Sequence, residues 1–154
     1  PISRIRPTEE GYGNIYDKEY HNEIVSLIDR KNISSYVDII QGCTNLQSKL
    51  HNYDLGLYSS KSETGPLVLL EYMCQGLPFL SYNTGEVVQQ IKDTFPNFIL
   101  SNFILEEWTA EAKKMLISKN SVLKQKMVHY YDEKYSVKGY YDRCMNIYNK
   151  IINE

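Results

Sequence analysis

The sequence predicts an α/β fold in which helices cover both faces of a parallel sheet. Short apolar segments alternate along the chain with segments whose apolar residues recur every three or four positions, which is the spacing of a helix. The clearest case is residues 54–82, which read as a strand, a polar loop, a helix and a second strand. Because parallel strands need such a crossover, this alternation indicates a parallel sheet.

The segment before residue 54 begins without regular structure. Residues 1–16 show no apolar period and are expected to be a loop. The predicted elements that follow are a helix over residues 17–31 capped by Asp17, a strand over 36–41 ending at Gly42, and a short helix over 44–52 capped by Thr44. The strand prediction rests on the apolar and β-branched residues of that run.

The central helix, over residues 66–75, carries a start signal and a stop signal. Pro66 suits the first helical position, because the amide hydrogen that proline lacks would have no partner there. Gly76 suits the position just after the helix, where a left-handed residue ends it, and Pro78 prevents continuation. The strands on either side are predicted over residues 55–58 and 78–82.

The rest of the chain is predicted to be mostly helical. The pattern indicates a strand over residues 98–100 and helices over 86–92, 106–117, 122–131 and 137–152. Residues 121–154 thus form the C-terminal helices. The last helix presents an apolar face made of Tyr140, Tyr141, Cys144, Ile147, Tyr148 and Ile151.

Composition limits the classes of protein. The length of 154 residues, 42% of them hydrophobic, suits a single domain over residues 1–154. A net charge of −2 with dispersed charges gives no basic surface for nucleic acid. No segment has the pattern of a membrane span or a signal peptide. Three cysteines without CxxC spacing indicate free thiols in a reducing compartment, so a cytoplasmic location is expected.

Several kinds of catalytic site are not indicated. His51 and His129 have no carboxylate or cysteine partner at metal-binding spacing, so no metal is expected. The serines of residues 59–62 lack the Gly-x-Ser-x-Gly pattern of a hydrolase. No Gly-x-Gly-x-x-Gly follows a predicted strand, which argues against a nicotinamide dehydrogenase, and no cofactor is expected.

The start of the central helix is a candidate site for an anion. The amide hydrogens of Leu67, Val68 and Leu69 are expected to be unpaired, and the helix dipole is positive at this end. Glu71 lies roughly 6 Å further along the axis, and a carboxylate on so apolar a helix needs a partner. This spacing suits a nucleoside diphosphate, with the pyrophosphate at the helix start and the ribose hydroxyls donating to Glu71.

The same residues resemble a known motif. Glu63 and Glu71, with Ser60 before them and Gly76-Leu77-Pro78 after, resemble the donor-binding motif of retaining GT-B glycosyltransferases, family 4 in particular. The resemblance extends over about residues 30–150. It implies the C-terminal half of a GT-B fold, which is a Rossmann-like parallel sheet with helices on both faces, here lacking its first strand or strands.

The resemblance implies roles for individual residues. Glu63 would be the catalytic residue beside the transferred sugar, and Glu71 would bind the ribose. The other residues that bind the donor would be Ser60, Thr64, Gly65, Pro66, Leu67 and Val68. In this reading the nucleotide-sugar is a substrate, and no metal or cofactor takes part.

The chain departs from the family pattern at several positions. Thr64-Gly65-Pro66 stands where the family usually has Gly-Phe-Gly, so proline removes one backbone donor. Ser59, Glu86 and Gln89 stand where the family usually has Pro, Gly and Glu. The Arg and Lys that hold the diphosphate in the family are expected upstream of the first residue, as is the domain that binds the acceptor.

The implied function is transfer of a sugar from a UDP- or GDP-linked donor to an acceptor, with retention of configuration, in polysaccharide, lipopolysaccharide or glycolipid synthesis. The acceptor, a sugar or a lipid, would be bound mainly by a missing N-terminal domain, so this fragment alone is expected to be inactive. Peripheral contact with the inner membrane face is compatible with this function. Two alternatives are a non-catalytic nucleotide-binding or interaction module on the same scaffold and a GT-B sugar-nucleotide epimerase.

Overall fold

The computed structural model describes residues 18–40, 45–118 and 120–153. The predicted loop over residues 1–16, the caps at Asp17 and Thr44, and the strand end at Gly42 lie outside the described residues. The chain divides into two compact units, residues 1–46 and 47–154, and each is described by itself. One nucleotide-sugar-binding domain over residues 1–154 stays a prediction.

The first unit contains helix α1 (Lys18–Arg30), which confirms the helix predicted over residues 17–31. The chain leaves this helix at Asn32, whose φ of 51° is left-handed. The amide of Asn32 donates to the carbonyl oxygen of Asp29 at 3.0 Å. Asparagine tolerates this conformation better than most residues, and the bond satisfies a carbonyl of the last turn.

The strand predicted over residues 36–41 is wrong within the described residues. Ser34–Tyr36 form a turn of 3-10 helix, and residues 37–40 form no strand. Val37 has extended backbone angles, with φ −129° and ψ 118°. Its neighbours favour extended backbone, but extended angles alone do not make a strand, which also needs a hydrogen-bonded neighbour. Gln41 lies outside the described residues.

A three-stranded parallel sheet lies in the second unit. Its strands are β1 (Gly56–Tyr58), β2 (Phe79–Tyr82) and β3 (Ile99–Leu100), in the order β1-β2-β3. Both pairs are parallel, with Leu57 opposite Leu80 and Ser81 opposite Ile99. The structure therefore confirms the parallel sheet and the strands predicted over residues 55–58, 78–82 and 98–100.

The remaining elements are helical. The helices are α2 (Leu67–Cys74), α3 (Glu86–Ile91), α4 (Leu105–Ser118), α5 (Ser121–Lys134) and α6 (Val137–Ile152), and 3-10 helices cover Leu46–Asn52 and Pro96–Phe98. The helices predicted after residue 66 are therefore confirmed, with small differences at their ends. The short helix predicted over residues 44–52 is a 3-10 helix that begins at Leu46.

Helix α2 ends at the predicted residue. Gly76 has a left-handed φ of 60°. Its amide donates to the carbonyl oxygen of Met73 at 3.0 Å, and the amide of Leu77 donates to that of Tyr72 at 2.9 Å. These two bonds are a Schellman motif, which satisfies carbonyls that the helix leaves unpaired at its end.

The start of α2 differs from the prediction by one position. Pro66 has a ψ of 88°, so it precedes the helix as its N-cap and does not occupy the first helical position. The proline ring fixes φ but leaves ψ free, so the residue type alone does not decide between these positions. The amide of Leu69 donates to the carbonyl oxygen of Pro66 at 3.1 Å, so Leu69 is not unpaired as predicted.

The core of this unit lies between the sheet and helices α2, α3 and α5. Phe79 of β2 packs there with Met73 of α2, Val88 of α3 and Met127 of α5, all of them fully buried. Leu80, the next residue of β2, points to the other face of the sheet and is also fully buried. Both faces of β2 are therefore covered, and the fold is the predicted α/β, Rossmann-like arrangement.

The direction of α6 is set by its junction with α5. The Oγ of Ser136 accepts a hydrogen bond from the amide of Gly139 at 3.0 Å. Arg143 donates from Nη1 to the carbonyl oxygen of Glu133, at the end of α5, at 2.8 Å. The apolar residues of α6 are largely exposed, including Tyr140, Tyr141, Ile147, Tyr148, Ile151 and Ile152.

We predict that Met127→Ala destabilises the protein by about 2–5 kcal/mol, because it removes a fully buried side chain that joins α5 to α2 and leaves a cavity. The measurement is the free energy of unfolding in urea. Met145→Ala is the matched control, since Met145 is 37% exposed and its truncation is expected to change stability by less than about 0.5 kcal/mol. Equal losses for the two variants would contradict this description of the core.

Candidate functional site

Three loops meet at one edge of the sheet. Residues 59–66 follow β1, residues 83–85 follow β2, and residues 101–104 follow β3. Because the strands are parallel, these loops all lie at the carboxyl ends of the strands, where open α/β sheets bind their ligands. The sequence-predicted site residues lie on the first of these loops and on α2.

The loop after β1 rests on the turn after β2. Gly85 has a left-handed φ of 79°, and a Cβ built on it would lie 2.7 Å from the Cδ of Pro66 and 3.2 Å from the carbonyl oxygen of Glu63. The amide of Glu86 donates to the carbonyl oxygen of Thr64 at 2.8 Å. Only glycine combines this conformation with so close an approach, so Gly85 lets the turn support residues 63–66.

Glu63 is exposed and held from two directions. Its amide donates to the Oγ1 of Thr84 at 3.3 Å, and its Oε1 accepts a hydrogen bond from the Oγ of Ser60 at 3.3 Å. Burial, together with the hydrogen bond and the negative charge of Glu63, raises the pKa of Tyr58. The Tyr58 phenol therefore stays protonated beside this carboxylate.

The first amides of α2 are available to a ligand. Within the part of the chain that the structure describes, the amide hydrogens of Leu67 and Val68 meet no protein acceptor. Leu67, the first residue of the helix, is 67% exposed. Two donors and the positive end of the helix dipole thus face the carboxyl edge of the sheet.

Glu71 lies one turn after the helix start and is half-buried. Its Oε1 accepts a hydrogen bond from the Nε2 of Gln47 at 3.1 Å, which confirms that this carboxylate has a partner. A carboxylate has about four acceptor positions, so it can accept hydrogen bonds from more than one donor. Gln47 precedes β1 in the chain, and its contact with α2 could not be read from sequence spacing.

A family model described as Glycosyl transferases group 1 matches residues 11–134, which is more than half of the chain and includes every predicted site residue. The chain belongs to this family. It is therefore a glycosyltransferase domain, and the resemblance found in the sequence is confirmed at the level of the family. No curated protein matches the chain.

The structure brings the predicted residues of this glycosyltransferase domain into one continuous segment. Residues 60–66 form the loop after β1, Leu67 and Val68 begin α2, and Glu71 lies on the next turn. Gly65 has open space where a Cβ would project, so the loop is not packed at that position. The roles given to these residues in donor binding remain predictions.

Sequence reasoning missed four residues around the site. Tyr58 and Thr84 contact Glu63, Gln47 contacts Glu71, and Lys61 lies over the ring of Phe103. The sequence pattern marks Tyr58 only as a strand residue, although its alternation with Leu57 places it on the other face of β1. The other contacts join separate loops, and no spacing along the chain indicates them.

Two further findings concern the described residues alone. Among them, no group of three or more His, Cys, Asp or Glu side chains could hold a metal ion. None of the helices in the same ranges is both long enough and apolar enough to cross a membrane.

We predict that Gly85→Ala destabilises the domain by about 1–3 kcal/mol, because alanine at a φ of 79° is strained and its Cβ would meet Pro66. Gly65→Ala is the matched control. Its Cβ would meet nothing within 4 Å, so the expected effect is neutral or slightly stabilising. Urea denaturation measures both, and a Gly85→Ala protein as stable as the Gly65→Ala protein would show that the loop does not rest on this turn.

Proposed function

We propose that this chain is the donor-binding domain of a retaining glycosyltransferase whose donor is a UDP- or GDP-linked sugar. The observation that carries the proposal is the placement of two open amides, Leu67 and Val68, beside the exposed carboxylate of Glu63 at the carboxyl edge of the sheet. Glu71 follows on the same helix. Membership of the glycosyltransferase family supports the same reading.

The diphosphate of the donor would lie at the start of α2. Amide hydrogens that have no partner within the helix bind phosphate oxygens, and the dipole favours negative charge at this position. Leu67 and Val68 would each donate one bond. Pro66 donates none, and the amide of Leu69 is already bonded, so the backbone supplies fewer donors than a full helix start would.

The ribose would lie beside Glu71. A carboxylate accepts hydrogen bonds from both hydroxyls of a ribose diol, and such charge-assisted bonds are stronger than neutral ones. Gln47 donates to one oxygen of this carboxylate and holds its orientation before the nucleotide arrives. Orientation in advance lowers the entropy that binding costs.

The transferred sugar would face Glu63. Departure of the diphosphate leaves positive charge at the anomeric carbon, and a fixed carboxylate stabilises such charge electrostatically. The Ser60 hydroxyl, which lies 3.3 Å from both the Glu63 carboxylate and the carbonyl oxygen of Ser62, and the Tyr58 phenol lie beside this carboxylate, which limits its reorganisation during the reaction. The domain thus needs no covalent step, metal or cofactor of its own in this mechanism.

The proposal also covers the acceptor, the biosynthetic role and the cellular location. The acceptor, a sugar or a lipid, would be bound by protein outside these residues, and the chain alone would bind the donor without turning it over. A role in polysaccharide, lipopolysaccharide or glycolipid synthesis fits such a donor. The thiols of Cys74 and Cys144 are free, which suits a cytoplasmic location.

Two substitutions separate the proposed roles of the glutamates. Glu71→Gln should weaken free nucleotide and nucleotide-sugar alike, by about 1–3 kcal/mol, because it weakens the bonds to the ribose. Glu63→Gln should weaken only the nucleotide-sugar, since this carboxylate would face the sugar. Calorimetry with UDP, GDP and their glucose or mannose derivatives measures both effects.

Gln47→Ala is the control for the contact on Glu71. It removes the hydrogen bond to Glu71 but keeps the carboxylate, so nucleotide affinity should fall much less than in Glu71→Gln. If Glu63→Gln weakens free nucleotide as much as Glu71→Gln does, the assignment of sugar and ribose is wrong. If neither variant changes binding, both carboxylates are structural.

A further inference from the structure

We propose that Lys61 binds the diphosphate of the donor and adds a cation from the loop after β1 to the backbone donors of α2. This inference rests on the proposed function, because it assigns a residue to the same site. It starts from a cluster of side chains at the carboxyl edge of the sheet that neither the sequence motif nor the proposed roles include.

The cluster consists of Lys61 and three aromatic rings. The ammonium of Lys61 lies 5.1 Å from the ring centroid of Phe103, on the loop after β3. Phe103 is stacked on Tyr82, with 4.2 Å between centroids, and lies nearly parallel to Trp108, with 5.8 Å between centroids and 9° between planes. The Nε1 of Trp108 donates to the carbonyl oxygen of Asn102 at 2.8 Å, which fixes the indole beside this loop.

The cluster lies at the same edge as Glu63. Tyr82 ends β2, and two residues later Thr84 accepts the amide hydrogen of Glu63. Residues two positions apart are separated by no more than about 7 Å. The loop of residues 59–66 therefore contacts both neighbouring loops, through Lys61 on the ring of Phe103 and through Glu63 on Thr84.

The distribution of charged side chains at this edge favours Lys61 as the residue that binds the diphosphate. In the loops after the three strands, residues 59–66, 83–85 and 101–104, Lys61 is the only Lys or Arg, whereas Glu63 contributes a negative charge. A nucleoside diphosphate brings further negative charge to this edge. Without a cation, its approach to Glu63 would be opposed by charge repulsion, and no other residue of these three loops supplies one.

The contact with Phe103 positions Lys61 but leaves its ammonium able to bind a phosphate. Within the described ranges the ammonium meets no carboxylate. Its partner is the face of a ring that is 42% exposed, and a cation–π contact at an exposed site is weaker than a charge-assisted bond to a phosphate oxygen. Lys61 can therefore leave the ring for the diphosphate at little cost.

The test is calorimetric titration of the whole chain with UDP, GDP, uridine, guanosine, UDP-glucose and UDP-glucuronate. Lys61→Met should weaken UDP or GDP about tenfold and leave the nucleosides unchanged, and it should reduce the salt dependence of binding, because one ion pair is lost. Lys113→Met is the matched control: Lys113 is exposed on α4, and its loss changes the net charge equally. Phe103→Leu should weaken binding less than Lys61→Met does.

The outcomes separate this inference from the proposed function. If the unmodified chain binds no nucleotide, both the proposed function and the role of Lys61 are wrong. If it binds UDP or GDP and Lys61→Met binds them equally well, only the role of Lys61 is wrong. An equal loss for nucleosides and nucleotides would show that Lys61 only supports the loop. A loss confined to UDP-glucuronate would show that Lys61 meets a sugar carboxylate and not the diphosphate.

Discussion

The close contact between Gly85 and the loop of residues 63–66 is the constraint on which the candidate site depends. A left-handed glycine allows the turn after β2 to approach Pro66, and the amide of Glu86 and the hydroxyl of Thr84 then bond to that loop. The loop leads directly into α2, so the same contact sets where the helix begins. The positions of Glu63, Leu67 and Val68 therefore depend on Gly85, because a side chain at that residue would collide with the loop.

Much of the fold could be predicted from the sequence because its signals are local. Apolar runs bounded by turn residues gave the three strands, and the Gly76-Leu77-Pro78 stop signal gave the end of α2. The parallel sheet followed from a crossover helix between strands. The expectation that Glu71 has a partner was also correct, because a carboxylate on an apolar helix needs one, although its identity as Gln47 was not predicted.

What the sequence did not show depends on contacts between distant residues. The run of residues 37–40 has the composition of a strand but forms none, because composition does not supply the hydrogen-bonded neighbour that a strand needs. Pro66 caps α2 although its ring would also suit the first turn. The contacts of Glu63 with Thr84 and of Lys61 with Phe103 join loops 20 or more residues apart in the chain.

The central claim is that the start of α2 receives the diphosphate, and amide NMR during titration with UDP or GDP tests it most directly. The account predicts that the amide resonances of Leu67 and Val68 shift more than those of Met73 and Cys74 at the other end of the helix, since only the first amides can donate to phosphate. Uridine or guanosine should leave them nearly unchanged. Binding of UDP or GDP without a shift at Leu67 and Val68 would contradict the account.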